Sequence, residues 1–319
     1  MRSRNADTAE KVKALTDKLE TGVKAVFESE QYKAYMKAMA KFHRYSFNNV
    51  MLILMQCPNA TAVAGFNTWK RQFGRTVKKG ESGIQILAPV PYKRIVESVK
   101  LDPVTKAPVL DANGKPVTET EYVVQQSYKI AYVFDVSQTE GRELPSYGAE
   151  ELTGNVQNYD AMLKAITELA PVPVVFSEQD GNARGRYVHS EQKIYLNSGM
   201  SQIDTISILI HETAHAILHA LPVKDGVVVG MPEKSRRTRE VEAESIAYIV
   251  CQHFGIETGD SAFAYISKWS RDKELEELKT SLDCISRTSA EMIDAIESCI
   301  PELSMSQDKP EMSEKYFSR

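Results

Sequence analysis

The run His211-Glu212-Thr213-Ala214-His215 constrains this chain more than any other feature of its 319 residues. It lies in a stretch, Ser201 to Ala220, that reads as one helix. Ser201 and Asp204 supply an S-x-x-D capping box, and Leu221-Pro222 ends the segment. Helical residues four apart stand about 6 Å apart along the axis and only about 40° apart around it. Two imidazoles so placed converge on one cation, and the glutamate between them sits where it can activate a water. Zinc suits the set, because it takes two nitrogens, one carboxylate oxygen and an open water position in a tetrahedron. The expectation is one Zn2+ per chain, ligated by His211 and His215, with Glu212 as the catalytic base.

A third ligand must come from another element, and Glu240, Glu242 and Glu244 are the candidates. They lie in a helix expected to run to Phe254, with Gly255 as its stop. Glu240 and Glu244 share a face with Ala243, Ala247 and Cys251, while Glu242 points about 160–200° away. Two carboxylates on a face of small residues are costly unless a cation neutralises them. Glu240 is therefore expected as the ligand, Glu244 as acceptor for a ligand imidazole N–H, and Glu242 in solvent. Pairing of Glu240 and Glu244 with Arg236 or Arg237 is the plainer alternative. His219 continues the four-residue series, but about 80° of drift takes it off the ligand face and leaves it a supporting or structural role. His43, His189 and His253 stand alone and read as packed or surface histidines.

Hydrophobic spacing divides the rest of the chain. Val12, Leu15, Leu19, Val23 and Val26 mark one helix, and a second periodic segment runs from Tyr32 to Met55, stopped by Pro58. From Ala62 to Val136 the pattern turns to short β runs, among them 83–87, 94–96 and 129–134. An extended hairpin with a solvated tip is expected around Asp102 to Thr120, where Asn113-Gly114 marks a turn. Ser137 to Thr153 lacks periodicity, so two domains are expected, 1–145 and 146–319. The second holds a helix at Val156 to Leu169 and strands at Val172 to Phe176 and Ile194 to Leu196, connected through Gly181 to Arg186. The two metal-motif helices follow, then a helical extension from about Ser261 to Cys299, and roughly the last 15 residues are expected to fray. The fold class is α+β: N-terminal helices with a small antiparallel sheet, then a metal-site domain with a mainly helical C-terminal extension.

Lys41 to Gly80 contains Lys41, Arg44, Lys70, Arg71, Arg75, Lys78 and Lys79 and no acidic residue, with Phe42, Tyr45, Phe47, Phe66, Trp69 and Phe73 interleaved. Cations that track phosphates and rings that stack on unpaired bases are how single-stranded nucleic acid is held. The candidate contacts are Arg44, Tyr45, Asn48, Asn49, Phe66, Trp69, Lys70, Arg71, Arg75, Lys78 and Lys79, though a charge run can equally be a solvated face. The net charge of −4 names no partner of either sign. No apolar run approaches the roughly 18 residues of a membrane span, and the opening 30 residues are charged rather than signal-like. A cytoplasmic chain with no membrane partner is expected, its four scattered cysteines read as buried thiols.

Several motifs resemble the single-stranded-DNA-binding domain of ArdC-type antirestriction proteins. They are Tyr45-Ser46-Phe47-Asn48-Asn49-Val50-Met51-Leu52-Ile53, Gln56-Cys57-Pro58-Asn59-Ala60-Thr61, and Val63-Ala64-Gly65-Phe66-Asn67-Thr68-Trp69. Val77-Lys78-Lys79-Gly80-Glu81, Ile86-Leu87-Ala88-Pro89 and Val133-Phe134-Asp135-Val136-Ser137-Gln138-Thr139 continue the likeness, over roughly residues 8–140. The second half resembles their metallopeptidase domain, which is related to ImmA/IrrE and SprT-like zincins, through the His211–His215 motif and Glu240-x-x-Ala243-Glu244. In that pattern the first glutamate is the third ligand. The resemblance implies single-stranded DNA binding coupled to a gluzincin-type zinc metallopeptidase with a protein substrate, on a mobile element. The hairpin near Asp102 to Thr120 and the helical extension depart from it. Tyr195 and Tyr248 are candidates for an oxyanion partner, and a substrate strand is expected along Ile194 to Leu196. Two rivals fit the same residues: a DNA shield with a non-catalytic metal, and a regulatory protease that cleaves a repressor without binding DNA.

Overall fold

The computed structural model describes residues 2–27, 29–102, 105–111, 113–144, 156, 158–178, 184–258, 266–271 and 273–300. Three helices open it: α1 (Arg2–Val26), α2 (Ser29–Lys41) and α3 (Phe47–Gln56). Leu15, Leu19, Val23 and Val26 are buried along one stripe of α1, as their spacing predicts. The second periodic segment is not one helix but two, broken at residues 42–46, where Tyr45 N–H turns back to Phe42 O at 2.8 Å.

A three-stranded sheet of order β1-β4-β3 follows, formed by β1 (Val63–Gly65), β3 (Ile84–Val99) and β4 (Thr118–Asp135). The six-residue helix α4 (Phe66–Arg71) comes after β1. A second small sheet pairs β2 (Arg75–Val77) with β5 (Thr139–Gly141). The separate β runs at 83–87 and 94–96 prove to be parts of one strand, β3, despite Pro89 and Pro91. Both prolines lie on an edge, where alternate residues turn their N–H away from the partner strand. The same outward parity includes Gln85 and Leu87, whose N–H groups donate to Gln56 Oε1 and Asn49 Oδ1, each at 2.9 Å. Side-chain amides of α3 therefore cap the first part of the edge, and prolines that lack the donor blunt the next part.

Asp135 closes the N-terminal half. It is 1% exposed, and its carboxylate accepts the backbone N–H groups of Thr61, Ala62 and Ser137. Burial raises its pKa, but these bonds outweigh it and hold the carboxyl below its usual value.

The second half begins with α5 (Tyr159–Leu169) and a sheet of order β6-β8-β7, made of β6 (Val174–Ser177), β7 (Gly185–Val188) and β8 (Lys193–Asn197). Strand β7 occupies what the sequence suggests is connection. Next come α6 (Gln202–Leu218), a hairpin of β9 (Val223–Lys224) and β10 (Val227–Val228), and α7 (Arg236–His253). Short α8 (Ile266–Ser270) and long α9 (Leu275–Cys299) form the helical extension. The expected boundary at residue 145, the start of the extension at Ser261 and the frayed end lie outside the described residues. A continuous apolar cluster spans both halves. Helix α2 packs on α7, and α9 lies against α1, α5 and α7. The Tyr32 hydroxyl shares a 2.7 Å hydrogen bond with Ser245 across that junction.

Candidate metal centre and the N-terminal surface

The capping box at the head of α6 forms as its sequence predicts, with Asp204 N–H donating to Ser201 Oγ at 3.1 Å. Further along the same helix, His211 and His215 present their Nε2 atoms 3.1 Å apart. Glu240 on α7 brings Oε2 to 3.7 Å from His211 Nε2 and 3.6 Å from His215 Nε2. Ligands about 2.0–2.1 Å from a tetrahedral zinc stand about 3.3 Å from one another, so these three atoms fit such an ion with little movement. The electrostatics favour positive charge here. Burial opposes a charged His211, yet Glu240 and Glu244 outweigh it and raise that group to about 9. Hydrogen bonds from His211 and then His215 hold Glu240 well below the usual carboxylate range.

The supporting groups are partly as expected. Glu244 Oε2 lies 3.2 Å from His211 Nδ1, the place foreseen for it. Arg236 reaches Glu240 only at 3.9 Å and is exposed, so the Arg236 pairing is weak. Glu242 is a correction: it faces away from the ligand side, but that direction leads inward. Helix α7 is covered on several sides, and Glu242 is 0% exposed. It accepts from Lys234 Nζ and Ser281 Oγ and faces His219 Nε2 at 2.9 Å. Burial raises its pKa, but these three partners prevail and lower it.

Glu212, 9% exposed, accepts Tyr187 N–H through Oε2 at 2.7 Å. That bond requires β7 to lie tight against α6, and Gly185 permits it: a Cβ there would stand 2.4 Å from Ile208 Cγ2. Burial pushes Glu212 upward, while the charges of His211 and His215 pull it back, and the net shift is up. A raised carboxyl is suited to exchanging protons near neutral pH.

Other expectations fail. The edge of this sheet beside α6 is β7, whereas Ile194–Leu196 belong to the central strand β8. Tyr248 is buried, and the Tyr195 hydroxyl donates to Glu191, so neither is presented as an oxyanion donor. His43 and His253 do not stand alone: their rings meet edge-on at 4.7 Å, and His253 Nε2 lies 2.9 Å from Glu297. Of the cysteines, all free, only Cys251 is fully buried.

The N-terminal domain of the anti-restriction factor ArdC matches residues 7–134, and the IrrE N-terminal-like domain, a peptidase family, matches residues 171–251. The chain thus joins an ArdC-type N-terminal domain to an IrrE-like domain. It is 30% identical to the uncharacterized protein pXO2-81 of Bacillus anthracis over 94% of its own length and 54% of that protein's. It is also 28% identical to a DNA primase TraC of Escherichia coli, over 66% of this chain and 14% of the primase. The chain thus spans about half of the first relative and a small part of the second. Two crystal structures of a plasmid antirestriction ArdC protein are similar: a metal-free one (19% identity, TM-score 0.45, 80% of this chain and 85% of that one) and a Mn(II)-bound one (16%, 0.49, 88% and 97%). No helix among the described residues is long and apolar enough to cross a membrane.

In the ArdC-type domain the basic, aromatic stretch separates into two sets. Tyr45 and Trp69 are buried at 4% and 1%, and the indole N–H of Trp69 donates to Phe134 O at 2.8 Å. Asn49 is buried against Leu87, Arg44 faces Asp294 and Glu297, and Arg75 binds Thr139, Gly141 and Arg142. These five residues hold the fold, which corrects their reading as DNA contacts. Phe66, Lys70, Arg71, Lys78 and Lys79 are exposed, and Asn48 is half-buried.

Sequence reasoning missed a further feature of this surface. Tyr122, Tyr128 and Tyr132 alternate onto one face of β4, exposed by 71%, 51% and 54%. Phe134 continues that face, and its ring meets Phe66 edge-on at 6.2 Å. The period-2 placement of aromatics from 122 to 134 was the available signal.

Proposed function

We propose that the chain binds single-stranded DNA through its ArdC-type domain and cleaves a protein with a zinc metallopeptidase centre, in an antirestriction or DNA-protection role. The observation that carries the reading is the convergence of His211, His215 and Glu240 beside Glu212, on a chain whose other half exposes aromatic residues and lysines. His211, His215 and Glu240 hold the metal, with Glu244 orienting His211. When bound, the metal supplies Lewis acidity, which activates water and polarises a carbonyl. Glu212 does the proton transfer. With Oε2 tied to Tyr187 N–H, Oε1 takes the proton from the water that attacks the peptide carbonyl carbon. It then passes that proton to the departing amine nitrogen as the C–N bond breaks. Strand β7, the outer strand of its sheet beside α6, is where an extended substrate segment would lie, the Tyr187 N–H on that edge being held by Glu212.

On the other half, Tyr122, Tyr128, Tyr132 and Phe66 serve as stacking platforms, with Lys70, Arg71, Lys78 and Lys79 along the phosphates.

Glu212→Gln should abolish cleavage of the protein substrate, a fall of about 100-fold or more, while zinc content measured by atomic emission stays at one per chain. Unchanged cleavage would sink the mechanism. If the cellular effect survives in that variant, the DNA shield is the right reading. Fluorescence anisotropy with labelled single-stranded and duplex DNA at two salt concentrations tests the other half. Tight, salt-sensitive preference for the single strand supports it, and no binding at low salt leaves a protease that ignores DNA.

A further inference from the structure

His219 and Glu242 are buried ionisable groups beside the metal centre that the reaction above does not use. Their hydrogen bonds run in one direction only. Lys234 Nζ donates to both oxygens of Glu242, at 2.7 and 2.9 Å, and Ser281 Oγ donates to Oε1 at 2.8 Å. A carboxylate only accepts, so His219 Nε2, 2.9 Å from Oε2, carries a hydrogen. A neutral imidazole with hydrogen on Nε2 keeps a lone pair on Nδ1. That atom lies 3.0 Å from His215 Nδ1, and the hydrogen between them therefore belongs to His215. His215 is left with a bare Nε2, the atom that faces Glu240 Oε2 at 3.6 Å. Metal ligation needs that lone pair.

We propose that His219 and Glu242, clamped by Lys234 and Ser281, form a buried two-step relay that fixes the tautomer of His215 and prepares its Nε2 for the metal. Both are positioning residues. The inference rests on the metal-centre reading and extends it inward. The two ligand histidines are supported unequally: His211 leans on Glu244, which is 40% exposed, whereas the chain behind His215 ends on a carboxylate with no exposure. The relay also gives the helical extension a task. Ser281 belongs to α9, beyond the residues 171–251 that match the IrrE-like domain, and it is 2% exposed where it meets Glu242.

The test titrates zinc into the full chain against a competing chromophoric chelator. In Glu242→Gln the amide oxygen turns to Lys234 and the NH2 group to His219, which reverses the relay and puts an N–H where the ligand lone pair belongs. Zinc should bind about 10- to 100-fold more weakly. Ser281→Ala should lose less. Ser245→Ala should lose none, because its buried hydroxyl bonds Tyr32 and Val241 and no member of the relay. Wild-type affinity in Glu242→Gln overturns the relay, and so does an equal loss in Ser245→Ala. Should Glu242→Gln fail to fold, ring-nitrogen NMR of the zinc-loaded wild type decides. Hydrogens on His219 Nε2 and His215 Nδ1 support the relay, and one on His219 Nδ1 overturns it. Wild type that binds no zinc is a separate outcome, which removes the metal centre itself and the relay with it.

Discussion

Helices α6 and α7 and the stretch Lys41 to Gly80 carry the chemistry of the two halves, and they translate sequence into geometry very differently. On the helices, spacing alone fixes which side chains converge, because 3.6 residues per turn leaves little freedom. His211, His215, Glu240 and Glu244 all stand where their intervals place them. In the basic stretch, composition identifies residue types but not which way they face. Tyr45 and Trp69 went inward, and Arg44 and Arg75 were taken up by partners within the protein. A periodic pattern therefore states direction, and a composition does not.

The largest effect tests the helical side. Glu240→Gln should weaken zinc binding by roughly a thousandfold, since a neutral amide replaces the only carboxylate of the set. Chelator competition measures it. A loss under tenfold would break the comparison, because the spacing argument would then have named the wrong ligand.

Next in size are paired substitutions of aromatics. Trp69→Ala should cost about 3–5 kcal/mol of stability in urea unfolding, as a fully buried ring is removed. Tyr128→Ala should leave stability nearly unchanged but weaken single-stranded DNA binding by about 1–3 kcal/mol in anisotropy. The reverse pattern would mean that exposure is no guide to function in this half. Smaller again, Lys78→Ala with Lys79→Ala should lower the slope of log affinity against log salt by roughly 0.7 for each phosphate left without its lysine. An unchanged slope would return that pair to plain solvated surface.

The α+β class, the helical opening in outline, the hairpin and the pair of helices that bear His211, His215 and Glu240 were all legible. Three features were not, each for a physical reason. Strand β7 is four residues long, too short for alternation to show, and Gly185 sits in it because of a close approach to α6. The break between α2 and α3 carries no proline or glycine. Glu242 reads as solvated when α7 is taken alone, because a one-helix argument assigns each face without knowing its neighbours. Helix α9, folding back from far along the chain, made the outer face of α7 a second interior.

Carboxylates sharpen the contrast at the smallest scale. Buried Glu242 is neutralised by Lys234, and half-exposed Glu240 faces the two imidazoles, so these two acids of α7 answer to positive or polarised side chains. Asp135 answers to backbone N–H groups instead, and its region needs no cation. The pH dependence follows from the sign of the shift. A carboxyl whose folded pKa is depressed contributes stability above its unfolded pKa, and that contribution is lost as pH falls through the folded value. Asp135 starts from an ordinary value of 3.8 and is lowered. Asp135→Asn should therefore cost about 1–2 kcal/mol at pH 7. The gap from wild type should narrow as the pH is taken below that ordinary value. Urea unfolding at pH 7 and near pH 3 checks both statements. A gap that stays constant with pH would show that the charge is irrelevant there and that only the shape of the side chain holds the 61–62 and 137 backbone in place.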